Sequence, residues 1–302
     1  MRSLRRSWTD GARVQRVAFV VGAALFLSGL VHLAVLTISG GTWTGPLSLR
    51  KAASFGLSFG LTLATVAWVT HFISLGPRLR VLLVGAFTAT CVVETTLVSL
   101  QAWRGRPSHF NFETGFDTAI TMTLAAGGFA IVATIAGMTL AAMVSVAGLT
   151  PAMRLALRFG FVTLMVALGV GFAMISVGSA AARGPDPALA YTTAGFLKPA
   201  HAVTMHAILI IPALAWLVSF TRWSDDRQLR VVQLGAFGYL LLSAVILLES
   251  IMRVSPFDAP APATAAATIG LFALVTAGAM GLYGVFAGPG VRRTSVSEGV
   301  RQ

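Results

Sequence analysis

The sequence predicts an all-α polytopic membrane protein with eight transmembrane helices, and three observations carry that expectation. The chain of 302 residues is 56% hydrophobic and only 11% charged. A soluble domain carries roughly 25% charged residues, so too little charge is left to dress a water-facing surface. Mean hydropathy is +0.82, and apolar runs near the ~20-residue spanning length recur along the whole chain. Water-soluble globules, disordered chains and disulfide-rich secreted modules are thereby excluded.

The first span, Val17–Ile38, follows a basic tail, residues 1–16. It exceeds the core of about 7–15 residues typical of a secretory signal, and no small-residue cleavage site follows it, so it is expected to stay attached. Ala52–Leu75, Val81–Gln101 and Thr118–Val146 come next, separated by Gly40-Gly41, Gly76-Pro77 and Gly105 to Pro107. Leu155–Val177, Pro199–Thr221, Val231–Met252 and Thr264–Ala287 complete the set, with breaks at Gly148 to Pro151, Gly184-Pro185 and Pro256 to Pro262. No connection is long enough for a soluble domain, so binding or catalysis falls to the helices and the short loops over them. Cys91 lies alone inside the third span; it reads as a small packed side chain, and no intrachain disulfide is possible.

The net charge of +12 does not signal a nucleic-acid partner, because the basic residues sit in the tails and short loops, where they act as topology signals. One side of the expected membrane collects Arg2, Arg5, Arg6, Arg13, Arg16, Arg78, Arg80, Arg154, Arg158, Arg222, Arg227, Arg230, Arg292, Arg293 and Arg301. The other holds Arg50, Lys51, Arg104, Arg106, Arg183, Lys198 and Arg253. The richer side is expected to be cytoplasmic, with both termini inside. An Arg-rich, Lys-poor composition points to a GC-rich bacterium and hence to its plasma membrane.

A four-helix unit is expected twice, over residues 17–148 and 149–287, followed by a tail at 288–302. Leu79-Arg80-Val81 with Gly85-Ala86-Phe87 returns as Leu229-Arg230-Val231 with Gly235-Ala236-Phe237, an offset of 150. Upstream, Leu49, Ala52, Ala67, Trp68 and Phe72 return as Leu197, Ala200, Ala215, Trp216 and Phe220 at an offset of 148, and Arg50 matches Lys198. Four spans is an even number, so both copies enter the membrane in one direction and form a parallel repeat. Gly56 and Gly60, spaced as G-x-x-x-G, offer a close helix contact.

Ionisable groups in hydrocarbon are costly, and each is a functional candidate by default. His32, Glu94 and His206 all fall about 9–10 Å below the outer helix ends at ~1.5 Å per residue. His201 and Glu249 lie nearer the outer rim, whereas His71 lies near the cytoplasmic end. The outer loops add Trp103, Arg104, Arg106, His109, Phe110, Glu113 and Asp117. The asymmetry predicts a polar pocket opening outward. Plainer readings compete at each position: hydrogen bonds between helices for His32, Glu94 and His206, an i, i+4 pair with Arg253 for Glu249, and headgroup contacts for the cations.

The leading functional expectation is b-type haem or a transition-metal ion for membrane redox chemistry or metal handling. His32 and His206 would be ligands from the two halves, with Arg50, Lys51, Arg104 and Lys198 as a basic collar for propionates. A bare ion would use His32, His201, His206 and Glu94, although His201 and His206 diverge by about 140° on a regular helix. The alternative is a transporter or receptor for an anionic or lipidic molecule held by that collar with Trp43, Trp103, His109 and Phe110, in a pocket whose other expected residues are Arg106, Glu113, Asp117 and Glu249. A membrane enzyme with His109 or Glu113 as general base has no supporting motif. In span number and intramembrane histidines the chain resembles small eight-helix bacterial membrane proteins of the cytochrome b561-like and copper-resistance D type. No site residue carries over from that resemblance. The bilayer is the expected partner, with an anionic molecule or an electron-transfer protein beside it.

Overall fold

A computed structural model describes residues 12–45, 47–144, 148–191, 194–255 and 257–287. Arg2, Arg5, Arg6, Arg292, Arg293 and Arg301, Val146 of the expected fourth span, and Pro256 lie outside the described residues. Among the described residues there is no strand, and eight helices are long and apolar enough to cross a membrane. They are α1 (Arg13–Ile38), α2 (Arg50–Val69), α3 (Pro77–Trp103), α4 (Gly115–Val144), α5 (Pro151–Ala182), α6 (Lys198–Val218), α7 (Asp225–Met252) and α8 (Ala261–Phe286). The chain is a multi-pass membrane protein.

Every helix begins earlier than hydropathy alone places it, because polar first turns are good helix starts. Pro77 and Pro151 sit at the first helical positions, where their missing N–H costs nothing. The Thr150 hydroxyl accepts from the Met153 N–H at 3.3 Å, and Asp225 and Asp226 complement the positive end of α7. The second span stops short instead, at Val69, followed by a 3-10 turn over Thr70–Phe72. The Arg80 guanidinium donates to the Thr70 and Ile73 carbonyls, both at 3.0 Å, and so satisfies backbone that has left the helix. Gly40 and Gly105, at φ +64° and +63°, reverse the chain after α1 and α3. The Gly41 N–H then reaches the Leu36 carbonyl at 3.1 Å and the Arg106 N–H the Gln101 carbonyl at 2.9 Å, the paired bonds of a left-handed C-terminal cap.

The exterior is apolar on α1 (Val20, Leu27), α4 (Phe129, Leu140), α7 (Leu240, Leu248) and α8 (Phe272, Leu282), a surface suited to lipid. Within the helices Thr65, Thr88, Thr90, Thr139 and Thr163 satisfy their hydroxyls on the carbonyl one turn back. The closest helix pairs are α1 with α2, α5 with α6 and α7 with α8. Along the first of these seams Gly22, Gly29, Gly56 and Gly60 interlock: a Cβ on Gly56 would stand 2.6 Å from the Gly29 Cα, and one on Gly60 2.6 Å from the Gly22 carbonyl oxygen. The expected Gly56/Gly60 contact is therefore with α1. Helix α3 packs on α1, α2 and α4, and α7 packs on α5, α6 and α8, while α4 meets α5 and α2 meets α6. At that last contact the Trp68 and Trp216 rings stand edge to face with centroids 6.3 Å apart.

Candidate functional site

The buried carboxylates and four of the five histidines lie toward the distal end of the bundle, opposite Arg13 and Phe286, but in separate clusters. The best-developed one is built on the first turn of α2. The Lys51 ammonium lies 3.2 Å from His109 Nδ1, and the Ser108 hydroxyl is 3.0 Å from the same atom. Two donors aimed at one ring nitrogen make Nδ1 the acceptor and place the ring proton on Nε2. Burial and the neighbouring Lys51 charge push the His109 pKa well below its ordinary 6.5, so the imidazole is neutral at physiological pH. The Phe55 ring flanks it, centroids 5.9 Å apart. Lys198, Glu94 and Arg50 lie within electrostatic reach of Lys51, but among the described residues no carboxylate stands within 4.0 Å of it; the ion pairs there are Arg104–Asp117 and Arg106–Glu113. Glu94 is buried against α4, where a Cβ on Gly127 would meet its Oε1 at 2.5 Å.

The loop between α3 and α4 is strapped down over this cluster. Asp117, 1% exposed, accepts from Gln101 Nε2 at 2.8 Å, Arg104 at 2.7 Å and the Thr114 hydroxyl at 2.7 Å. Arg104 also bonds the Gln101 side-chain oxygen, and its guanidinium lies over Phe116, 4.6 Å from the centroid. Asn111 and Thr121 exchange bonds at 3.2 and 3.0 Å. Phe110, at φ +57°, pushes its ring onto Gly178 of α5, where a Cβ would come within 2.5 Å of it. Arg106 and Glu113 form an exposed pair at 2.8 Å.

The histidines expected to bind metal have other partners. His32 is 7% exposed; its Nδ1 bonds the Ser28 carbonyl at 2.7 Å, and its Nε2 accepts from the Trp103 indole N–H at 3.0 Å. Both ring nitrogens are taken, so an axial bond to iron would break one of these. His201 Nδ1 bonds the Ala167 carbonyl on α5 at 2.8 Å, and His206 Nδ1 bonds the Ala202 carbonyl one turn back at 2.6 Å. The Met205 sulfur takes a contact from the Ser58 hydroxyl at 3.8 Å. Among the described residues no three His, Cys, Asp or Glu side chains come together to hold a metal ion. The Nδ1–carbonyl bonds of His201 and His206 are of the kind a ligating imidazole keeps while it coordinates through Nε2, whereas His32 would have to give up one of its two bonds. Glu249 does not pair with Arg253 either: α7 ends at Arg253, φ +57°, whose guanidinium lies 4.6 Å from the Phe196 ring centroid.

No family model, curated protein or solved structure matches this chain. Its chemistry therefore rests on the geometry alone. What hydropathy and charge placement missed are the uncharged partners: Trp103 for His32, Gln101 and Thr114 for Asp117, and Gly178 for Phe110. Gln101, a lone amide in the last turn of an apolar span, was the available signal.

Two expectations follow for this region. In the Asp117→Ala variant the strap loses its anchor, and tryptic cleavage after the freed Arg104 accelerates in detergent-solubilised protein; a wild-type cleavage rate would show that the strap is held elsewhere. The second concerns pH. The folded state refuses a proton at His109 that the unfolded chain accepts near 6.5, so this group withdraws stability as pH falls below that value and contributes no slope above it. Thermal midpoints measured between pH 7.5 and 5 are expected to fall less in His109→Gln than in wild type; parallel curves would refute the assignment.

Proposed function

We propose that the chain is a bacterial plasma-membrane protein with cytoplasmic termini, built as two parallel four-helix units, and that its distal site recognises an anionic small molecule as a receptor or transporter. The anionic ligand is the alternative that the geometry supports best, and one observation carries it: Arg50 and Lys51 from the first unit and Lys198 from the second lie within electrostatic reach of one another, and Glu94 is the counter-charge that acts on Lys51. The neutral His109 contributes its Nε2–H as a donor beside them. A carboxylate or phosphate would supply the missing negative charge and accept all of these donors. Cations held in a half-buried site with no partner of opposite charge are unfavourable until such a ligand arrives.

The two-unit plan is supported by helix register. A shift of 138 on the first helix and 148 on the second carries the Gly22·Gly60 contact onto Gly160·Ile208, and Gly29·Ala53 onto Ala167·His201. The Trp68–Phe72 stack (centroids 5.6 Å apart) corresponds to the Trp216–Phe220 stack (4.9 Å), both edge to face. Equivalent helices α2 and α6 touch, as they must beside a twofold axis along the membrane normal. The orientation rests on the Arg/Lys imbalance of the loops.

The test is a thermal-shift screen of the purified full chain against small carboxylates and phosphates at constant ionic strength. At least one anion class is expected to raise the midpoint saturably. If no anion does more than chloride at equal ionic strength, the reading fails.

A further inference from the structure

Near the distal end of α7 lies a polar group that the anion site does not use. Glu249 is only 7% exposed, yet among the described residues its carboxylate makes neither a hydrogen bond nor an ion pair. The residue four positions on, Arg253, would ordinarily close on it. The left-handed turn at Arg253 instead carries the guanidinium over Phe196, where the ring face holds it. Between them runs a groove of about 250 Å³, lined by Glu249, Arg253, Phe196, Pro199, Ile246 and Ser250. Glu249 lies about one turn, roughly 5 Å, from the end of the helix, the depth at which a span passes from hydrocarbon to headgroups.

We propose that this groove binds the headgroup of an aminophospholipid, with its primary ammonium on Glu249, its phosphate on Arg253 and its glycerol end along Ile246 and Phe196. The two protein charges are opposite, adjacent and held apart, which is the pattern a linked ammonium and phosphate satisfies together. A carboxylate that opens into a narrow groove without a partner gains most from a cation that also donates hydrogen bonds. A choline headgroup offers a cation with no N–H, and a glycerol headgroup offers no cation, so both satisfy only half of the site. The apolar lining favours a ligand attached to acyl chains over a free zwitterion. The groove borders the first turn of α6 through Pro199 but uses none of the charged groups of the anion site, which are Arg50, Lys51 and Lys198.

Native mass spectrometry of the full chain in detergent, with equimolar phosphatidylethanolamine, phosphatidylcholine and phosphatidylglycerol of matched chains, reads the preference directly. Phosphatidylethanolamine is expected to be retained on the order of tenfold over the other two, as a charge-assisted hydrogen bond implies. Glu249→Gln is expected to erase that preference while Lys51→Met keeps it. Ile246→Trp, which leaves both charges in place and fills the groove, is expected to erase it too, so the test survives if Glu249→Gln fails to fold. Equal retention of all three lipids by wild type would overturn the proposal, as would an undiminished preference in folded Glu249→Gln. Displacement of the lipid by millimolar phosphoethanolamine would overturn the lipid as the source of the headgroup.

Discussion

Replacing Lys51 with Met is expected to weaken binding of the responsive anion about 10- to 100-fold while leaving the fold intact. The magnitude follows from the loss of one charge-assisted hydrogen bond, ~1.5–3 kcal/mol, read as a ratio of dissociation constants. Methionine keeps the length and apolar stem of lysine. Because Lys51 has no carboxylate within 4.0 Å among the described residues and shares its surroundings with Lys198 and Arg50, removing its charge relieves repulsion in the unliganded protein. The thermal midpoint without ligand should therefore hold or rise as affinity falls. Isothermal titration of both forms with the anion selected by the screen separates these effects. Equal affinities in wild type and variant would remove Lys51 from the site; a collapsed midpoint would make it a structural residue.

The other large effect is expected at the α1–α2 seam. In Gly56→Leu the new side chain meets backbone, not the far end of a flexible side chain: its Cβ alone would lie 2.6 Å from the Gly29 nitrogen and Cα. The helices must part along a contact that also brings Gly22 to Gly60, so the cost is expected to exceed the ~1–3 kcal/mol typical of overpacking. A large loss of monodisperse protein on size exclusion and a lower melting temperature would register it. Gly169→Ala is the matched control, since a Cβ there meets nothing within 4 Å; alanine is the better helix former, and this variant should be neutral or slightly stabilised. If Gly56→Leu melts like wild type, the seam does not hold the helices together.

The same contrast between backbone and side chain explains how much could be read without coordinates. The eight spans were legible because length and hydropathy are properties of a segment: a run such as Leu155–Val177 must be helical in lipid whatever surrounds it. The distal concentration of His32, Glu94, His109 and Glu249 was legible for a similar reason, because position along a span sets depth. The shared chemistry of these residues was not legible. Depth places His32 and His206 at one level without saying which way either points, and His32 turned out to face Trp103, with both nitrogens engaged. The basic collar likewise sorted itself by partners. Arg104 joined Asp117 and Arg106 joined Glu113, which leaves Arg50, Lys51 and Lys198 as the collar cations without a carboxylate at contact distance among the described residues.

The sequence alone thus determined a helical membrane protein of eight spans with its intramembrane carboxylates and most of its histidines toward one end, since the cost of burying backbone and charge in hydrocarbon acts on each segment separately. Only the tertiary structure decided which groups meet. Hydrogen bonds and ion pairs are decided over about 3 Å, and the facing of a helix depends on seams such as Gly29·Gly56 that no single segment contains.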